Sequence, residues 1–110
     1  MQENNALEAV MNLIMLSGNA KSLAMEAIQA AKEDDFELAD QKLEEANNEL
    51  TGAHNSQTSL LTQEASGENF QVTLLLIHAQ DHLMNAITFL DLAKEVIDVH
   101  KKLAVTQPNS

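Results

Sequence analysis

A chain of 110 residues has the size of one domain, and its 17 acids against six lysines and no arginine give a net charge of -11, a field that argues against nucleic acid or an anionic membrane surface as partner. The absence of cysteine excludes a disulfide framework and any thiolate metal site, and fits a reducing cytosol. No stretch approaches the roughly 20 uninterrupted apolar residues of a membrane span, and MQENNALEAV has no basic n-region, so neither membrane insertion nor a signal peptide is expected.

The composition is rich in Ala, Leu, Glu, Met and Gln with few Gly and Pro, as in a helical domain with a modest core. Its first helix is expected to open at Asn5, because Asn5 and Glu8 have the N-cap and N3 spacing of a capping box. Leu7, Val10, Ile14, Lys21, Met25 and Ile28 recur near helical spacing, and Leu13, Leu16, Ala20, Leu23, Ala24, Ala27 and Ala31 widen the stripe until it faces more than one neighbour. Gly18 falls inside this helix, where Gly is about 1 kcal/mol worse than Ala. A close approach by another group and a merely tolerated glycine explain it equally well. The helix should stop near Lys32 or Glu33.

Asp34 and Glu37 repeat the capping-box spacing, with Asp35 suited to the positive end of a new helix. Phe36, Ala39, Leu43, Ala46, Leu50, Ala53, Gln57, Leu60 and Glu64 then follow in threes and fours, a bundle seam with coiled-coil spacing. Between Glu33 and Glu49 eight acids meet the single Lys42, which reads as a solvated face first and a surface for a basic partner second. ASGEN at 65 to 69 breaks the chain, with Gly67 suited to a left-handed C′ position and Asn69 to the next N-cap.

The third helix is expected to run to about Leu103, leaving residues 104–110 as a disordered tail after a single domain of residues 1–103. VTLLLI alone resembles a buried strand, but the helical period continues through Met84, Ile87, Leu90, Ala93 and Ile97. Three helices of about thirty residues, each about 45 Å long and joined by short turns, give an all-α antiparallel up-down-up bundle. The third is apolar on nearly every side, more than a three-helix core can use, so self-association with this helix near the symmetry axis is expected.

His78, Asp81 and His82 interrupt that apolar helix at i, i+3 and i+4, on one side, with Gln71 and Asn85 close to the same line. Burying a carboxylate there demands a proton, a cation or hydrogen bonds. His78 has three chemical uses: a nucleophile for phosphoryl transfer, a metal ligand shared with Asp81 or His82, or a hydrogen-bonded core histidine. No HExxH, Glu-x-x-His pair, glycine-rich phosphate loop or G-x-S-x-G elbow is present, so a metal-dependent or hydrolytic enzyme is poorly supported. A structural or regulatory helical oligomer, with the His/Asp cluster setting assembly, is the alternative from a different class.

LLLIHAQDHLM at 74 to 84, SGNAKSLAMEAIQAAKEDDFELA at 17 to 39 and AHNSQTSLLTQEASG at 53 to 67 closely resemble the lactose/cellobiose (chitobiose) class of enzyme IIA proteins of the bacterial sugar phosphotransferase system. The likeness runs in register from about Leu7 to Leu103. It implies a cytoplasmic phosphoryl carrier that accepts the group from phospho-HPr on one histidine, here His78, and passes it to enzyme IIB for uptake of a β-disaccharide. It also implies a homotrimer with Asp81 at the threefold axis, three carboxylates gathered round one Mg²⁺. Oxygen-only ligation favours such a hard ion over zinc, and the bare alternative is a protonated cluster. Overall likeness places cellobiose or a related β-glucoside ahead of lactose. His82 is read as a structural residue ahead of one that lines the phosphorylation site, His54 as structural, His100 as favourably placed at the C-terminal end of the helix dipole, and the methionines as core and contact surface.

Overall fold

The computed structural model describes residues 2–67 and 71–106, with side chains described from Ala6 onward. Three long helices make it up: α1 (Gln2–Lys32), α2 (Phe36–Ala65) and α3 (Leu74–Thr106). They lie antiparallel in sequence order as an up-down-up bundle in a rod of 62 × 20 × 16 Å. α1 shares more of its surface with each of the others than α2 and α3 share with one another.

The expected elements are all present, with shifted ends. α1 opens at Gln2, not at Asn5, so Asn5 is an interior helical position rather than a cap. α1 closes at Lys32 as expected, in a Schellman arrangement whose left-handed residue is Asp34 (φ 62). The Asp34 N–H donates to the Ala31 carbonyl at 3.0 Å and the Asp35 N–H to the Ala30 carbonyl at 2.9 Å, which satisfies the last carbonyls of the helix. Asp tolerates that conformation better than most residues. Committing Asp34 to ending α1 leaves Asp35 to start α2: its Oδ1 accepts from the Leu38 N–H at 3.2 Å, a cap of about 1 kcal/mol. The Asp34/Glu37 capping box is therefore replaced by Asp35 alone.

α2 ends as its sequence demands. Gly67 takes φ 93 and its N–H donates to the Glu64 carbonyl at 3.2 Å. Asn69 lies outside the described residues. Thr73 caps α3, its Oγ1 accepting from the Leu76 N–H at 3.1 Å. The helix continues through Thr106, three residues past Leu103; residues 107–110 lie outside those described.

The interior is built largely from alanine, which lets helix axes approach closely. On α2, Ala39, Ala46, Ala53 and Leu60 are buried at strict heptad spacing, while Phe36, Leu43, Leu50 and Gln57 form the half-buried partner row, as a coiled-coil seam requires. Glu64 is exposed. On α3 the buried row is Ala79, Leu83, Ala86, Leu90, Ala93 and Ile97. On α1 it is Ala9, Val10, Leu13, Ser17, Ala20, Ala24, Ala27, Ala30 and Ala31. Leu7, Lys21 and Met25, read from the sequence as part of the inner stripe, are exposed. The wide stripe had two edges to choose from, and the small residues took the inside because only they fit between closely packed helices.

Along the rod the core divides into three clusters. One joins Ala9, Val10 and Leu13 to Ala53, Leu60, Ala79 and Leu83. A middle one joins Ala24, Ala46, Leu90 and Ala93, and the far end joins Ala27, Ala30, Ala31, Ala39 and Ile97. At that far end Lys101 Nζ reaches both oxygens of Asp40, at 3.0 and 3.2 Å. Lys42 sits between Glu26 at 3.2 Å and Glu45 at 3.8 Å. Such exposed pairs contribute about 0 to 1 kcal/mol each.

Candidate functional site

The first core cluster sets the geometry of the site. Ala79 and Leu83 are fully buried between α1 and α2, which fixes the rotation of α3 about its axis. At 3.6 residues per turn the neighbouring positions are then assigned to faces. Gln80 projects toward α2, where its Oε1 accepts from Gln57 Nε2 at 2.7 Å in a half-buried contact. His78 and His82 emerge on the opposite flank. That is the α1 side of the helix, because Phe89, a heptad beyond His82, lies under Lys21 of α1 with Nζ 5.9 Å from the ring centroid, within cation–π range. Asp81 points away from the bundle altogether and is exposed.

The three residues grouped by the sequence thus divide into a pair and a single. The rings of His78 and His82 stand 4.5 Å apart, centroid to centroid, at an interplanar angle of 90°. His78 is exposed and His82 half-buried. Asp81 has Asn85 as neighbour one turn on, with Nδ2 donating to Oδ2 at 3.5 Å, the long limit of such a bond. Among the described residues no group of three or more His, Cys, Asp or Glu gathers in a way that would hold a metal ion. One chain therefore offers a cation at Asp81 a single carboxylate.

Other expected members stand elsewhere. Gln71 precedes α3 and does not share the helical line with Asp81. Because the helix begins at Leu74 rather than just after Asn69, His78 sits in its second turn rather than its third. His54 is exposed on α2. His100 is half-buried, and with α3 extending to Thr106 it lies a turn inside the last one, beyond the reach of the end dipole. The Gln57–Gln80 bridge was not anticipated. Its signal was present, a polar residue at a seam position of α2 otherwise filled by Leu and Phe. Lys21 over Phe89 had no comparable signal, since the two are far apart in sequence.

Around Asp81 the outer face of α3 is apolar and uncovered. Leu74, Ile77, Met84, Leu92, Val96, Val99 and Leu103 are exposed large hydrophobics. Leu74, Asp81 and Thr88 follow one another at heptad spacing, with Ile77, Met84 and Leu92 alongside. This is a second seam, back to back with the buried one, with a carboxylate in its midst.

Residues 8–101 match the family model described as the PTS system, Lactose/Cellobiose specific IIA subunit. The chain belongs to that enzyme IIA family. It is 49% identical over 96 residues to the lichenan-specific phosphotransferase enzyme IIA component of Bacillus subtilis, a match that covers 87% of each chain. The crystal structure of the PTS cellobiose-specific enzyme IIA from Bacillus anthracis superposes with a TM-score of 0.88 at 49% identity, covering 91% of this chain and 92% of that one. A chain from the solution structures of the IIA(Chitobiose)–HPr complex of the N,N'-diacetylchitobiose branch of the Escherichia coli phosphotransferase system aligns with a TM-score of 0.74 at 37% identity. That alignment covers 89% of this chain and 95% of that one. This enzyme IIA is accordingly a phosphotransferase component that carries phosphoryl groups. Among its described residues no helix is long and apolar enough to cross a membrane.

Proposed function

We propose that His78 carries the phosphoryl group, accepting it from phospho-HPr and handing it to the cognate enzyme IIB in the cytoplasm. The observation that supports this reading best is the placement of His78: its backbone is pinned by the buried Ala79 next to it, while its ring stands at the surface. A carrier needs both, since a donor and an acceptor must reach the same nitrogen in turn. The lone pair of a neutral imidazole nitrogen attacks phosphorus, a bond from phosphorus to His78 forms, and the bond from phosphorus to the donor breaks, its electron pair returning to the donor. With a loose transition state, positioning and charge compensation are most of what is required. The chain contains no arginine, so the charge on the transferred oxygens is met by lysines or by cations that arrive with the partner. An acidic carrier and basic partners would dock transiently and with marked salt dependence.

The second seam of α3 supports assembly as a homotrimer, with three copies of α3 facing each other across a threefold axis. Asp81 then lies opposite its own copies. Three carboxylates so placed repel unless a proton or a cation intervenes. The available donors, carboxylate oxygens with Asn85 beside them, suit a hard ion such as Mg²⁺, one per trimer. Such an ion would neutralise the carboxylates and tie the copies together; it takes no part in the transfer at His78. The sugar delivered is of the cellobiose or β-glucoside type, in keeping with the lichenan- and cellobiose-specific relatives.

Incubation with phosphoenolpyruvate, enzyme I and HPr, followed by intact-mass measurement, tests the assignment. Wild type gains one acid-labile phosphoryl group per chain, and His78→Ala gains none while keeping its helical content. Undiminished labelling of His78→Ala would place the carrier elsewhere.

A further inference from the structure

The contact between His78 and His82 permits more than phosphoryl transfer. The two are separated by one helical turn, and their rings already touch on a common flank of α3, with centroids 4.5 Å apart. Among the described residues neither ring makes a hydrogen bond, so no polar partner has to be displaced before a ring nitrogen of either meets a ligand. Two imidazoles at i and i+4 on one helix face are the arrangement by which helices present paired nitrogen ligands to zinc. The helix holds both backbones rigidly, and only side-chain rotation is needed to bring two nitrogens onto one ion. The chemistry differs from that at Asp81: nitrogen donors select Zn²⁺, Cu²⁺ or Ni²⁺, whereas a lone carboxylate favours Mg²⁺.

We infer that His78 and His82 form a two-histidine chelate for a borderline transition metal, and that its occupancy switches the carrier off. Inhibition follows from valence. A neutral imidazole has a single in-plane ring lone pair, so a His78 that donates it to a metal has none to offer phosphorus and cannot accept the group. The remaining coordination positions are filled by water, making this an open, reversible site rather than a closed structural one. The chelate itself stands on the geometry alone; its inhibitory consequence rests on His78 being the carrier.

The test separates the two. The protein, with Mg²⁺ in excess, is titrated with Zn²⁺ against a chromophoric competitor. One Zn²⁺ binds per chain, and affinity falls roughly tenfold or more in His78→Gln and in His82→Gln, but not in His54→Gln or His100→Gln. Unchanged affinity in His82→Gln overturns the chelate. In the second arm, isolated phospho-HPr, freed of enzyme I, donates to wild type and to His82→Gln with and without Zn²⁺. Zn²⁺ slows acceptance by wild type, and the ratio of rates with and without metal returns toward one in His82→Gln. Equal inhibition of both proteins overturns the switch. Failure of wild type to accept phosphate even without Zn²⁺ counts against the carrier assignment, and leaves the titration result to decide the chelate.

Discussion

The two faces of α3 have almost the same spacing and opposite fates. The inner row, Ala79, Leu83, Ala86, Leu90, Ala93 and Ile97, steps by threes and fours and is buried throughout. The outer row from Leu74 to Leu103 steps the same way and is uncovered, with Leu92 60% and Val99 56% exposed. The inner row alternates small and large residues, as a seam must when three helices approach closely. The outer row is mostly large and is interrupted by Asp81 and Thr88. A helix with one seam needs neighbours within its own chain; the second seam is the one that the proposed trimer would bury. What the difference teaches is that one element carries two separate registers, one used by the fold and one that the proposed trimer would use, so each can be broken without the other.

The sharpest break is on the inner side. Leu83 is fully buried in the cluster that orients the site, and Leu83→Ala is expected to destabilise the bundle by about 2 to 5 kcal/mol, read as a shift in urea midpoint. Leu92→Lys, on the outer row, should leave the unfolding of the single chain within about 0.5 kcal/mol of wild type while dissociating the oligomer in light scattering. A stable trimer of Leu92→Lys would mean that the outer seam is not the interface.

Next in size is Asp81→Leu. In the proposed trimer, replacing three mutually repelling carboxylates by packed apolar groups is expected to keep or strengthen the assembly while abolishing the proposed ion site, since buried charges are often matched or bettered by well-packed hydrophobic residues. Light scattering together with metal analysis of the purified protein reads both; unchanged metal content in the variant would exclude the axial site.

How far the sequence allowed these faces to be told apart depended on punctuation. α2 was legible nearly residue by residue, because Asp35 and Gly67 bracket it and its heptads are unbroken. The start of α3 was not. Thr73 caps it, but the residue three on is Leu76 rather than Glu, so no capping box marks the spot, and the apolar run through VTLLLI conceals the join. That shift alone moved His78 from the expected third turn to the second. α1 misled in another way: its stripe is broad enough for two faces, and the large residues Leu7 and Met25 drew attention from the alanines that fill the core. At the site, spacing sufficed to gather His78, Asp81 and His82, but not to separate the histidine pair on the α1 flank from the aspartate facing outward. That separation is set by the burial of Ala79 and Leu83, a tertiary fact.

A smaller effect is expected where the inner seam of α1 carries a polar residue. Ser17 is fully buried, between residues of the first and middle clusters, and among the described residues its Oγ has no hydrogen-bond partner. An unsatisfied buried hydroxyl costs about 1 to 3 kcal/mol, and deleting it leaves a cavity no larger than one oxygen. Ser17→Ala should raise stability by about 1 kcal/mol, helped by the better helix propensity of alanine. A loss of stability instead would mean that the hydroxyl is satisfied in solution, by water or by the preceding turn.

The smallest effect distinguishes two glycines that look alike in sequence. Both Gly18 and Gly52 sit inside helices, where alanine is favoured by about 1 kcal/mol. A Cβ at Gly52 would stand 3.0 Å from Leu16 Cδ1, whereas at Gly18 nothing lies within 4 Å. At Gly52 the helical gain is offset by displacement of the half-buried Leu16, so Gly52→Ala is expected to be neutral or slightly destabilising. Gly18→Ala should gain close to the full 1 kcal/mol in the isolated chain. Measured in the assembled protein the same substitution answers a further question. If it stabilises the chain but weakens the oligomer, the space at Gly18 is filled by a neighbouring copy, and α1 contributes to the interface alongside α3. If both are unaffected or improved, the glycine is only tolerated, and the contact between copies is confined to the outer seam of α3.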